Sequence, residues 1–266
     1  MKKVMLVFGT RPEAIKMAPL VKEFQKHEAE FETIVCVTGQ HREMLDQVLA
    51  IFDIKPDYDL NIMHQGQTLT DITARVLNGL GEILSQANPD LVLVHGDTTT
   101  AFASALTAFY AKVPVGHVEA GLRTFDKYSP YPEEMNRQLI GRIAELHFSP
   151  TGNNVKNLNR EGIFDHVYIT GNTVIDAMKY TVTGTGFTSP ELNALPLEGK
   201  RVITMTCHRR ENYGVPMEQI FRAVEIIARN HPEVQFVYPV HPAPAVRDTA
   251  RRMLGEIPNV SLIAPL

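Results

Sequence analysis

The run VPVGHVEAGLRTFDKYSPYPEEMNRQ, Val113 to Gln138, is dense in ionisable groups of the kind that move protons. Its first part reads as a buried strand ending at Val118. Glu119 follows at once, with Arg123, Asp126, Glu133, Glu134 and Arg137 behind it. A second strand-like run, LVLVHGDTTT, ends at His95 and Gly96, and Asp97 then stands where a helix N-cap belongs. A capping aspartate accepts backbone amides and faces the positive end of the helix dipole, so it reads as an ionised base or electrostatic orienter. Glu119 holds the same place on another strand. Two carboxylates at neighbouring strand ends push one pKa upward, so that one side chain is a base while the other keeps a proton. The plain alternative is a solvated charged loop, and Glu133 and Glu134 suit a first helical turn in any case.

Cations follow other strand-like runs. In FGTRPEAIKMAP, Gly9 permits a tight strand exit and Pro12 suits a helix start. Arg11 and Lys16 beside that helix terminus would make a phosphate site, although the Gly-rich consensus of a dinucleotide fold is absent. VITMTCHRRENYG places His208, Arg209, Arg210 and Glu211 after a strand. The arginines offer bidentate contacts to phosphate or carboxylate and His208 could donate to a diphosphate; the alternative is internal Arg–Glu pairing. In VYPVHPAPAVR, His241 and Arg247 flank another strand end, where a histidine beside prolines is commonly structural. There is no HExxH, no paired-cysteine spacing and no calcium-type loop, so no metal is expected, and there is no GxSxG elbow.

The elements that must position these residues are short apolar runs alternating with helical periods. Strands are expected at Val4–Phe8, Thr33–Thr38, Leu91–His95, Val115–Val118, Leu146–Ser149, Val167–Thr170, Val202–Thr206, Val234–Pro239 and Val260–Ile263. Helices are expected at Arg42–Phe52, Thr68–Ser85, Thr98–Ala111, Glu133–Ala144, Thr151–Arg160, Thr173–Tyr180, Met217–Asn230 and Ala245–Leu254, besides the one begun by Pro12. Continuous apolar strands separated by helices indicate parallel sheets covered on both faces, an α/β fold. Such sheets bind ligands beyond the carboxyl ends of their strands, where the chemistry clusters here. The stretch Thr181–Lys200 has no sustained period and reads as a linker. Domains are therefore expected at 1–175 and 176–266, the second with three strands and two helices only, an incomplete unit.

Composition sets broad limits. Hydrophobic residues are 44% and charged residues 21%, enough apolar material for a core, and the net charge of −4 gives no reason to expect nucleic acid or an acidic membrane surface. The two cysteines, Cys36 and Cys207, lie in apolar strand-like runs, which suits a reducing compartment. No apolar run approaches the ~20 residues of a membrane span, and MKKVMLVFGTRPEA reads as the first strand of a cytoplasmic protein.

The blocks TRPEAIKMAPL, CVTGQHREMLDQVL, HGDTTT, HVEAGLRT, SPYPEEMNRQLIGRIAELHFSPT, TGNTVIDA, HRREN and VYPVHP, in this order over essentially the whole chain, resemble the non-hydrolysing UDP-N-acetylglucosamine 2-epimerases. The resemblance implies two Rossmann-like doubly wound domains in the glycosyltransferase B arrangement, with the nucleotide sugar in the cleft between them. It implies interconversion of UDP-GlcNAc and UDP-ManNAc through 2-acetamidoglucal, with no cofactor consumed, by a homodimer serving bacterial cell-surface polysaccharide synthesis. Asp97, Glu119 and Glu133 match the family's acidic catalytic residues, and Arg11, Lys16 and His208 match those around the UDP, His208 counting with the catalytic set as well. Gln40, Glu133, Arg209 and His241 fall at a second, activating substrate site of some members, although Glu43 and Gly66 depart from that pattern. Family members also carry a DSGG…EE nucleotide-binding block that these 266 residues lack. Three other readings stay open: a hydrolysing epimerase releasing ManNAc, an inactive or binding-only fragment, and a glycosyltransferase of the same fold.

Overall fold

The computed structural model describes all residues except 40, 41, 65, 183–185, 188, 210, 211 and 266, together with all side chains but those of 42 and 43. The chain forms two compact units, Met1–Thr183 and Gly184–Leu266.

In the first unit the elements run β1 (Lys2–Phe8), α1 (Arg11–Lys26), β2 (Phe31–Val37), α2 (Arg42–Ile51), β3 (Tyr58–Asp59), α3 (Leu69–Ala87), β4 (Leu91–His95), α4 (Thr99–Tyr110), β5 (Val115–Val118), α5 (Glu133–Ile143), β6 (Leu146–Ser149), α6 (Gly152–Arg160), β7 (Val167–Ile169) and α7 (Val174–Thr181). The strands form one sheet in the order β3-β2-β1-β4-β5-β6-β7, and the pairings are parallel. This is the Rossmann-like doubly wound order, and it reverses between β1 and β4.

Alternation along the strands divides the core. Val4, Leu6 and Phe8 pack on one face with Ala14, Met17, Ala18 and Val21 of α1, whose spacing is one helical stripe. Met5, Val7, Val92 and Val94 pack on the other with Val76, Leu80 and Leu84 of α3 and the alanines of α4. Each large apolar side chain so buried contributes about 1.5–3 kcal/mol, and that rigidity fixes the strand ends.

The second unit contains α8 (Pro190–Asn193), β8 (Arg201–Thr204), α9 (Val215–Asn230), β9 (Val234–Pro239), α10 (Pro244–Leu254) and β10 (Val260–Ile263), with a parallel sheet in the order β10-β9-β8. That order repeats the β3-β2-β1 half of the first sheet. Phe221, Tyr238, Val246 and Leu254 form its core, and the Tyr238 hydroxyl donates to the Cys207 carbonyl at 2.6 Å.

The fold class is thus the expected one, α/β with Rossmann-like parallel sheets. Two small elements differ from the sequence reading. β3 has only two residues and no readable period, and α8 is a single turn inside the expected linker, begun by the Ser189 cap and Pro190. Cys36 and Cys207 are free thiols. Among the described residues no helix is long and apolar enough to cross a membrane.

Candidate active site

The pairing of β4 with β5 sets His95 opposite Val118, which brings Gly96–Asp97 beside Glu119. The Gly96 amide donates to the Val118 carbonyl at 2.9 Å, and Gly96 then turns the chain at φ +67°. That turn corrects one expectation. The N-cap of α4 is Thr98, whose hydroxyl accepts the Ala101 amide at 3.0 Å, and Asp97 precedes it. Freed from capping, the Asp97 carboxylate faces Arg137, whose Nη1 donates to Oδ2 at 3.2 Å, while Asn136 donates to the Asp97 carbonyl at 2.9 Å.

The electrostatics of Asp97 also differ from expectation. Burial is the main cause pushing its carboxyl up to about 6; Arg137 opposes the rise, and the charges of Glu133 and Glu119 add to it. The acid is therefore poised near neutrality rather than firmly ionised, and the like-charge neighbours are the smaller cause.

Glu119 has a left-handed backbone at φ 64°, which costs an ordinary L-residue about 1–2 kcal/mol. Its carboxylate is held by Lys16, whose Nζ reaches both oxygens at 2.7 and 2.8 Å, and by Asn172 Nδ2 at 3.0 Å. His95 Nε2 lies 3.2 Å from Oε2, off the line of a hydrogen bond. Burial and the Lys16 charge lower the His95 pKa to about 3, so this imidazole is neutral. Lys16, expected at a phosphate, is here the partner of a carboxylate, because its long chain spans from the first turns of α1 to the end of β5.

Glu133 opens α5. Its Oε2 is buried without a hydrogen-bond partner among the described residues, and the residue lines a cavity of about 450 Å³ with Arg11, Thr98 and Thr99. Its charge bears on Asp97. Glu134 is a different kind of acid. It accepts the amides of Thr124 and Phe125 at 3.0 Å each, the Arg137 Nε at 2.7 Å and the Gln138 amide at 2.8 Å. Burial pushes its pKa up, but these bonds outweigh it and hold it at about 2. Arg123 pairs with Glu161 at 2.6 and 2.8 Å, and Asp126 accepts the Tyr128 amide at 3.0 Å. At Gly121, φ +89°, a Cβ would strike the Asn154 carbonyl, so this position demands glycine. Of the acids in the opening run, Glu119 and Glu133 face the site; Glu134 braces it.

In the β1–α1 turn the amides of Gly9 and Thr10, just ahead of the helix, donate to Glu13 Oε2 at 2.9 and 2.7 Å, so a side chain already takes these two donors. What the turn offers a ligand is Arg11, exposed and without an ion-pair partner among the described residues.

Lys16, Asp97, Glu119 and Glu133 are thus brought together, with Arg11 lining the Glu133 cavity. In the second unit His208 and His241 stack, ring centroids 5.4 Å apart and 25° between planes, and Arg209 adjoins His208 on the β8–α9 loop. His241 Nδ1 accepts the Ala243 amide at 3.2 Å, and Arg247 pairs with Asp248 at 3.0 Å. Gln40, Arg210 and Glu211 lie outside the described residues. No group of metal-binding side chains occurs among the described residues. Asn172, Glu13 and Thr98 join the site through contacts distant in sequence, although Thr10-x-x-Glu13 is a visible capping signature.

A doubly wound parallel sheet with carboxylates gathered at its strand ends is the build of an α/β enzyme. The chain belongs to the UDP-N-acetylglucosamine 2-epimerase family, whose profile matches residues 22–266, and is an enzyme of isomerase type. It is 56% identical over 270 residues to the UDP-N-acetylglucosamine 2-epimerase of Escherichia coli (strain K12), covering 99% of this chain and 72% of that one. The UDP-N-acetylglucosamine 2-epimerase of Bacillus subtilis (strain 168) is 54% identical over 265 residues, 99% of this chain and 69% of that protein. The crystal structure of UDP-GlcNAc 2-epimerase from Neisseria meningitidis bound to UDP-GlcNAc matches with a TM-score of 0.84 at 48% identity, over 99% of this chain and 72% of that one.

Proposed function

We propose that the protein interconverts UDP-GlcNAc and UDP-ManNAc by inversion at carbon 2. The observation that supports this most directly is the meeting of Asp97 and Glu119 at adjacent strand ends, with Glu133 near enough to act on the charge of Asp97. A base takes the C2 proton, the C1–O bond to UDP breaks, and a C1–C2 double bond forms, giving 2-acetamidoglucal. Return of a proton to the opposite face of C2 and of UDP to C1 yields the epimer. A buried acid near neutrality suits such exchange, because it can take and return a proton at little cost. Asp97, Glu119 and Glu133 are the proposed acid–base set, Glu119 being oriented by Lys16 and Asn172.

Arg11 is the proposed cation for the diphosphate, with His208 assigned to UDP and to catalysis from the motif resemblance. Lys16 fits orientation of Glu119 better than direct contact with phosphate. Gln40, Glu133, Arg209 and His241 are assigned to a second, activating UDP-GlcNAc site by the same resemblance. A homodimer, a cytoplasmic setting and supply of cell-surface polysaccharide precursors complete the reading.

The experiment is incubation with UDP-GlcNAc in deuterated water, followed at carbon 2 by NMR. Deuterium in both epimers is expected. Free ManNAc would instead indicate a hydrolysing enzyme, and no exchange would overturn the proposal in favour of a binding-only protein.

A further inference from the structure

Glu13 is an acid only 1% exposed, and its two carboxylate oxygens have different tasks. Oε2 accepts the Gly9 and Thr10 amides, while the Glu13 amide lies 3.5 Å from Thr10 Oγ1. That much is a capping box on α1. Oε1 does something a cap does not require. It accepts the Thr98 hydroxyl at 2.5 Å, from a turn 85 residues further along. Thr98 simultaneously accepts the Ala101 amide as the N-cap of α4. One carboxylate therefore joins the N-terminus of α1 to that of α4. Arg11 follows the first turn and Asp97 precedes the second.

The chain supplies its own control. Asp71 closes a capping box on α3 and Asn154 closes one on α6. Asp71 Oδ2 reaches the Thr68 amide at 2.8 Å, so a side chain one methylene shorter than glutamate is long enough to cap. Glutamate is common at this position, so its type alone says nothing. Its second oxygen, buried against a hydroxyl from another strand's turn, is what sets it apart.

We infer that Glu13 is a positioning residue that locks the β1–α1 turn to the β4–α4 turn and so sets where Arg11 and Asp97 stand. The inference rests on the acid–base reading of the site given above.

Glu13→Asp tests it, because by the precedent of Asp71 the variant keeps the α1 cap and withdraws from Thr98. In the full chain we expect a melting temperature within about 4 °C of wild type. Deuterium exchange should fall about tenfold or more through lost alignment, chiefly in kcat rather than KM. The carboxyl titration of Asp97, followed by carbon-13 NMR, should move down from about 6 as the loosened turn admits water. A capping role alone predicts wild-type behaviour throughout, and an unmoved Asp97 midpoint overturns the inference whatever the rate. The titration needs no substrate, so it decides the matter even if wild type exchanges no deuterium, an outcome that sinks only the acid–base reading. Should Glu13→Asp fail to fold, Thr98→Gly cuts the same tie with the α1 cap intact, and glycine caps α4 nearly as well as threonine does. Thr98→Ser, which keeps the hydroxyl, should then restore the wild-type midpoint; equal midpoints in the two overturn the inference.

Discussion

Arg137 stands between two acids of opposite character: its Nη1 touches Asp97 at 3.2 Å, and its Nε is held by Glu134 at 2.7 Å. The second contact keeps the guanidinium in place, so the first can restrain the rise in the Asp97 pKa without Asp97 having to hold Arg137 still. Structural support and tuning are divided between neighbouring side chains.

Asp97 should oppose stability near neutral pH. Raising its carboxyl from 3.8 to about 6 corresponds to roughly 3 kcal/mol, present below pH 4 and lost as pH rises through 6. Asp97→Asn should therefore abolish deuterium exchange yet be more stable than wild type at pH 8, by about 1–3 kcal/mol, with the difference vanishing near pH 4. Urea unfolding at both pH values checks this. Exchange at the wild-type rate would remove Asp97 from the mechanism.

Glu134→Ala should destabilise strongly, by about 3–5 kcal/mol, because it strands the buried Arg137 and two backbone amides. The native Glu134 pKa is depressed to about 2, so its contribution is present above 4.5 and disappears as pH falls through 2. Comparing wild-type and variant unfolding between pH 7 and 2 should show the gap closing in acid.

Lys16→Met separates orientation from phosphate binding. If Lys16 serves Glu119, kcat falls about a hundredfold with KM little changed, and adding Glu119→Gln costs nothing further. A raised KM at unchanged kcat would return Lys16 to the phosphate.

Activation by substrate has a kinetic signature. With UDP-ManNAc alone the reverse reaction should start slowly, and a trace of UDP-GlcNAc should abolish the lag. Equal initial rates in the two assays would remove the second site assigned to Gln40, Glu133, Arg209 and His241.

Local signals were legible and distant ones were not. The runs ending at His95 and Val118 name β4 and β5 to the residue, since a continuous apolar strand gives way abruptly to polar groups. Sequence alone puts the cap of α4 one residue too early because aspartate and threonine both cap well, and only the turn at Gly96 decides between Asp97 and Thr98. Lys16 meets Glu119 across 103 residues of chain, a contact set by the sheet order and invisible to spacing. Asn172 escaped for the same reason. Glu133 and Glu134 look alike in sequence, yet the step of about 100° between consecutive helix positions sends Glu134 into a cage of donors and leaves Glu133 beside a cavity.

The left-handed backbone at Glu119 sets turnover and robustness against each other at one codon. Glycine there would relieve the main chain and delete the carboxylate. In the wild-type chain it would also strand Lys16, so heat selection should enrich glycine at 119 only in a Lys16→Met background, and those survivors should fold well and do nothing.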